Sequence, residues 1–118
     1  MAAAGKPPLR DVPQIDDRML WVAIAIEISD RCDSIDPRTM RGLNYLWSLR
    51  SDARELGYST AEIRAYVDSK AEKDRMRARG EAYLRARGLD PDNNADLCKL
   101  GQAEIAKSSQ IGAFLRMK

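Results

Sequence analysis

Residues 14–31 read QIDDRMLWVAIAIEISDR. At about 100° per residue, Ile15, Met19, Val22 and Ile26 fall on one side of a helix, and Leu20, Trp21, Ile24 and Ile28 on the other. A helix apolar on two sides has to be covered on both, so the stretch predicts a central helix over 14–31 with other elements packed around it. Its apolar run, MLWVAIAI at 19–26, is well short of the roughly 20 residues that a membrane span needs, and Asp17 and Glu27 flank it. No membrane span is predicted.

Around this helix the punctuation is helical. In DSIDPRT (33–39), Asp36 reads as an N-cap with Pro37 at the first helical position, opening a second helix over 37–56. ELGYSTAEI (55–63) supplies a corner: Gly57 suits a left-handed C′ position, Ser59 and Glu62 form a capping box, and Tyr58 with Ile63 form a hydrophobic staple. A short third helix over 60–68 follows. Ser69 and Glu72 repeat the capping box for a fourth helix that ends at Gly88. GLDPDNNAD (88–96) is a loop with a cap at Asp90 or Asn94, and a last helix is expected over 95–115. No strand-like alternation is visible. The expected fold is a compact all-α domain of five helices at 14–118, preceded by an extended tail at 1–13 rich in proline. Trp21, Ile24, Ile26, Ile28, Leu43, Leu46, Trp47, Ile63, Val67, Leu97 and Ile105 are its expected core.

Composition narrows the chemistry. The 118 residues carry 20 Lys and Arg against 18 Asp and Glu, and no histidine. The most common general base near neutral pH and the most common metal ligand are therefore absent. Two cysteines without histidine fall short of a tetrahedral zinc set unless carboxylates or a second chain complete it. Ser108 and Ser109 have no nucleophile elbow around them, and no glycine-rich phosphate loop occurs. No catalytic residue, metal or cofactor is expected.

Two patterns invite a binding role. SKAEKDRMRARGEAYLRARG (69–88) is basic, and Lys70, Lys73, Arg77, Arg79 and Arg85 are its candidate partner surface. These side chains spread around the helix instead of forming one phosphate-facing row, so a solvated helix is the plainer reading and a nucleic-acid face the alternative. The stretch 11–36 is acidic, with seven Asp or Glu against two Arg. That polarity either steers a partner or lets the basic helix pack against the acidic end of the first. In the last helix, Cys98, Gly101, Ile105, Ser108, Ser109 and Gly112 share a narrow small-residue face, suited to close packing of another helix or to a dimer seam.

KPPLRDVPQIDD (6–17), ELGYSTAEIRAYV (55–67), AEKDRMRARGEAYL (71–84) and LCKLGQAEIAKSSQIGAFL (97–115) together resemble the domain of unknown function 5333 family, small exported proteins of alphaproteobacteria. The resemblance covers nearly all residues after Lys6. It implies no activity, but it implies export and a role for both cysteine positions. Cys32 ends the first helix and Cys98 opens the last, so antiparallel packing of the two would bring the thiols together. Combined with the resemblance, this predicts a Cys32–Cys98 disulfide, with two free buried thiols as the alternative. Ala2–Ala4 before GKPP look like the small-residue end of an export signal, and the reading frame upstream of Lys6 discriminates this from a plain tail. The resulting expectation is a periplasmic, non-catalytic accessory module that binds a protein in the periplasm or at the membrane. A cytoplasmic nucleic-acid binder using 70–88 is the competing reading.

Overall fold

The computed structural model describes residues 6–118; the first five residues of the tail expected at 1–13 lie outside them. In chain order come α1 (Pro13–Arg31), β1 (Ile35–Pro37), α2 (Thr39–Glu55), α3 (Thr60–Asp68), α4 (Lys70–Arg85), α5 (Asn94–Ala106), α6 (Gln110–Ala113) and β2 (Leu115–Met117). A 3-10 turn over Leu9–Asp11 precedes α1. The fold is all-α apart from one short two-stranded antiparallel sheet, and α1 lies at its centre.

Local chemistry explains most boundaries. Pro13 occupies the first turn of α1, where its missing N–H costs nothing, and Asp16 adds negative charge near the helix N-terminus. The α2–α3 corner forms as its sequence dictates. Gly57 takes φ +101°, the Ser59 hydroxyl accepts from the Glu62 N–H, and the Glu62 carboxylate accepts from the Ser59 N–H. Tyr58 and Ile63 then join the same apolar cluster. Only half of the second capping box is present: Ser69 accepts from the Glu72 N–H, while the Glu72 carboxylate turns to Arg10 and Arg75. The cap of α5 is Asn93, one residue before the expected Asn94.

Two boundaries depart from expectation, the first because a distant partner decides it. Asp36 and Pro37 do not cap α2; they form β1, paired with β2 in the register Ile35↔Met117, Asp36↔Arg116 and Pro37↔Leu115. A residue before proline is biased toward extended backbone, and proline is tolerated in a short edge strand, so the dipeptide serves a strand as well as a helix start. The expected last helix breaks into α5 and α6. Ser108 adopts φ 54°, and Ser109 caps α6 by accepting from the Gly112 N–H while its hydroxyl donates to the Glu104 carboxylate. Glu104, only 1% exposed, also accepts from Tyr83 and Lys107. Hydrogen bonds from Ser109, Lys107 and Tyr83 outweigh the upward push of burial and hold its carboxyl below the usual range.

The first core cluster joins α1 to α4, α5, α6 and the sheet, with Ile28, Ile35, Leu97, Leu100, Ile111 and Leu115 almost fully buried. Gly101 lets α5 approach closely, since a Cβ there would stand 2.5 Å from Ile35 and 2.8 Å from Ile28. Of the expected small-residue face, Cys98, Gly101 and Ile105 lie on α5 and pack internally, while Ser108, Ser109 and Gly112 lie beyond its end and do not continue the face. Cys32 and Cys98 are bonded at the ends of α1 and α5, with an S–S distance of 2.01 Å. A second cluster joins Leu9, Val12 and Ile15 to Leu49, Ala53 and Tyr58. The segment before α1 is therefore docked instead of free: Leu9 and Val12 are buried, and the Tyr58 hydroxyl donates to the Pro7 carbonyl.

Four expected core residues are not core. Ile26, Leu43, Trp47 and Val67 are exposed, and Trp21, Leu46, Ile63 and Ile105 are half-buried. The reason is architectural. α5 and α6 cover one apolar face of α1, while the other is covered only toward its N-terminal end.

Candidate functional site

The acidic start of α1 and the basic α4 meet. Arg75 donates to both oxygens of Asp16 at 3.0 and 2.5 Å. Arg79 donates to Asp16 at 2.5 Å and to Asp17 at 2.8 Å, and the Tyr66 hydroxyl donates to Asp16 at 2.5 Å. Burial alone would raise the Asp16 carboxyl pKa, but the hydrogen bonds from Arg75 and Tyr66 and the two guanidinium charges bring it below the usual carboxylate range. Tyr66 is pushed far above its ordinary value by burial and by the Asp16 carboxylate. A carboxylate held ionised by four donors is a weak base, and a phenol held neutral is a weak acid. The cluster joins α1, α3 and α4.

This arrangement divides the basic residues singled out from the sequence. Arg79 is committed to Asp16 and Asp17. Lys70 pairs with Asp74 at 2.9 Å, and Arg85 approaches Glu81 at 3.8 Å, both along the exposed surface of α4. Lys73 and Arg77 make no ion pair among the described residues, and both line a groove. The five residues do not form one face.

The groove has a volume of about 1060 Å³. Its floor is the side of α1 that carries Met19, Val22 and Ile26, of which Val22 is buried, Met19 half-buried and Ile26 exposed. One wall is α2, through Leu46, Leu49 and Arg50; the other is Ile63 and Val67 of α3 with Met76, Arg77 and Gly80 of α4. Each helix contributes residues three or four apart, the spacing with which a helix presents one face. Ile26 is 53% exposed on the floor, and Val67 is exposed on the wall. Beside the α2 wall runs a second apolar stripe, Met40, Leu43 and Trp47, at i, i+3 and i+7. Trp47 is 63% exposed, and the Arg50 guanidinium lies over its ring at 5.4 Å.

Sequence reasoning assigned Ile26, Leu43, Trp47 and Val67 to a core and so missed the groove. The available signal was a surplus: α1 is apolar on two sides, and α2 carries apolar residues around more than one face.

Among the described residues no three His, Cys, Asp or Glu side chains are grouped to hold a metal, and no helix is long and apolar enough to cross a membrane. No curated protein and no solved structure matches the chain. The family of unknown function DUF5333 matches over residues 7–116, nearly the whole chain, and the protein belongs to that family.

Proposed function

We propose that this protein is a non-catalytic binding module, exported to an oxidising compartment, that takes an apolar segment of a protein partner into the groove between α1, α2 and α3–α4. The observation that carries the reading is the half-exposed Ile26 on the apolar floor of that groove. Single exposed apolar side chains are ordinary on protein surfaces, whereas a contiguous apolar concavity is the usual form of a binding site. Covering Ile26 and Val67 would contribute roughly 1.5–3 kcal/mol for each side chain fully buried. The Cys32–Cys98 bond supports export, because disulfides persist in oxidising compartments and are rare in the cytosol. Commitment of Arg75 and Arg79 to Asp16 and Asp17 removes charge that a nucleic-acid face on α4 would use.

A photo-crosslinking amino acid placed at Ile26 or Val67, and as control at Leu56 or Met117, tests the reading in cells. Leu56 and Met117 are exposed apolar residues outside the groove. The groove positions should capture one defined envelope protein that the controls do not. Equal capture at all four positions, or retardation of DNA or RNA at low salt that weakens steeply as salt rises, would overturn it.

A further inference from the structure

Charged residues of both signs line each end of the groove, but Glu72 at one end is held by Arg10 and Arg75 and Arg31 at the other by Asn94 and the Pro91 carbonyl, so the charges without a close partner are segregated along its length. α4 runs parallel to α1: Arg75 and Arg79 reach Asp16 and Asp17 at the start of α1, and Arg31 at its end donates to the Pro91 carbonyl just beyond α4. Lys73 and Arg77 therefore stand beside the N-terminal half of α1. Arg50 stands at the same end on the opposite wall, next to Leu49, which packs in one cluster with Ile15. None of these three cations has an ion-pair partner among the described residues. Toward the other end the rim carries Glu27, Glu81 and Asp92. Glu27 and Glu81 have only long contacts, 3.7 Å to Arg31 and 3.8 Å to Arg85.

We infer that the occupant is an amphipathic α-helix of a partner protein, with carboxylates at the end that meets Arg50, Lys73 and Arg77, and cations at the end that meets Glu27, Glu81 and Asp92. The inference rests on the binding role proposed above and specifies the partner's chemistry. Walls built from residues three and four apart are the complement of a helix that anchors itself at i, i+3, i+4 and i+7. A second copy of this chain fits poorly. Its exposed stripe Met40, Leu43 and Trp47 lies on a helix that carries Arg41, Arg50 and Arg54, which would place arginines against the cationic end of the groove.

The test uses the full chain and two synthetic 16-residue peptides of identical composition and identical leucine stripe. One has all its Glu in one half and all its Lys in the other; the second interleaves them. The segregated peptide should bind about tenfold more tightly, with an affinity that falls as salt rises. K73E/R77E, two substitutions at exposed positions, should abolish that preference without shifting the urea midpoint. Equal affinity for both peptides, lost in Ile26→Asp, would overturn the segregated partner and leave the groove reading standing. Binding of neither peptide would overturn both. Uptake of phosphatidylglycerol vesicles that neither peptide displaces would assign the groove to lipid and overturn the helical partner.

Discussion

Arg75 of α4 and Asp16 of α1 form a two-point ion pair, 3.0 and 2.5 Å, around a carboxylate whose side chain is 5% exposed. Arg79 and Tyr66 close the remaining sides of the same carboxylate. Removing one member of a buried pair leaves the others desolvated and unmatched, which costs more than the pair contributes when intact. Asp16→Ala should destabilise the fold by about 3 kcal/mol, read as a lower urea midpoint at unchanged slope. A loss within about 0.5 kcal/mol would show that water reaches the site and that the network is incidental.

Acid should loosen the protein through these lowered carboxyl groups. Asp16 and Glu104 are below their ordinary values of 3.8 and 4.5, and Glu62 is lowered to about 2 by the Ser59 N–H and by Lys6. A folded-state pKa below the unfolded one means that the unfolded chain binds the proton first. The stabilisation is therefore complete above the ordinary values and is lost as pH falls through the folded ones. The urea midpoint should stay level down to about pH 5 and drop toward pH 2, with a smaller drop in Asp16→Asn.

The Cys32–Cys98 bond closes a loop across a sequence separation of 66. In the chain-entropy model such a loop stabilises by about 4.4 kcal/mol. The double Cys→Ser variant should lose stability of that order, and intact mass should show two alkylatable thiols only after reduction. Two reactive thiols in unreduced protein purified from an oxidising compartment would refute the bond, and with it the main support for export.

Two glycines separate hard from soft contacts. A Cβ at Gly112 would lie 2.1 Å from the Glu104 carbonyl oxygen, a backbone atom fixed by the corner between α5 and α6. At Gly101 it would meet the Cδ1 end of Ile35, which can swing, and the Cγ2 methyl of Ile28, both side-chain atoms and not backbone. Gly112→Ala should cost about 3 kcal/mol or more and Gly101→Ala about 1 kcal/mol, measured by thermal unfolding. Equal costs would mean that the corner yields.

Stability and binding should part company at the groove. Ile26 and Val67 line the groove and are exposed, so Ile26→Ala and Val67→Ala should change stability by no more than about 0.5 kcal/mol. Both should weaken capture of the partner. A large loss of stability in either variant would restore these residues to the core where periodicity placed them.

What the sequence determined alone is what short-range chemistry decides. The period of 14–31 specified α1 within one residue, and Gly57, Ser59 and Glu62 specified the α2–α3 corner, because a left-handed glycine and a capping box satisfy backbone groups within a few residues of themselves. Tertiary structure decided the rest. Asp36–Pro37 became a strand because β2, about 80 residues away, offered it a partner, and at the break at Ser108 the distant Tyr83 joins the neighbouring Lys107 and Ser109 in enclosing Glu104. The groove belongs to this second class. Periodicity says that Ile26, Val67, Leu43 and Trp47 are apolar on helical faces, but which faces are covered depends on how many helices the chain has to spend on α1. It has enough for one side and part of the other, and Ile26 is left facing solvent.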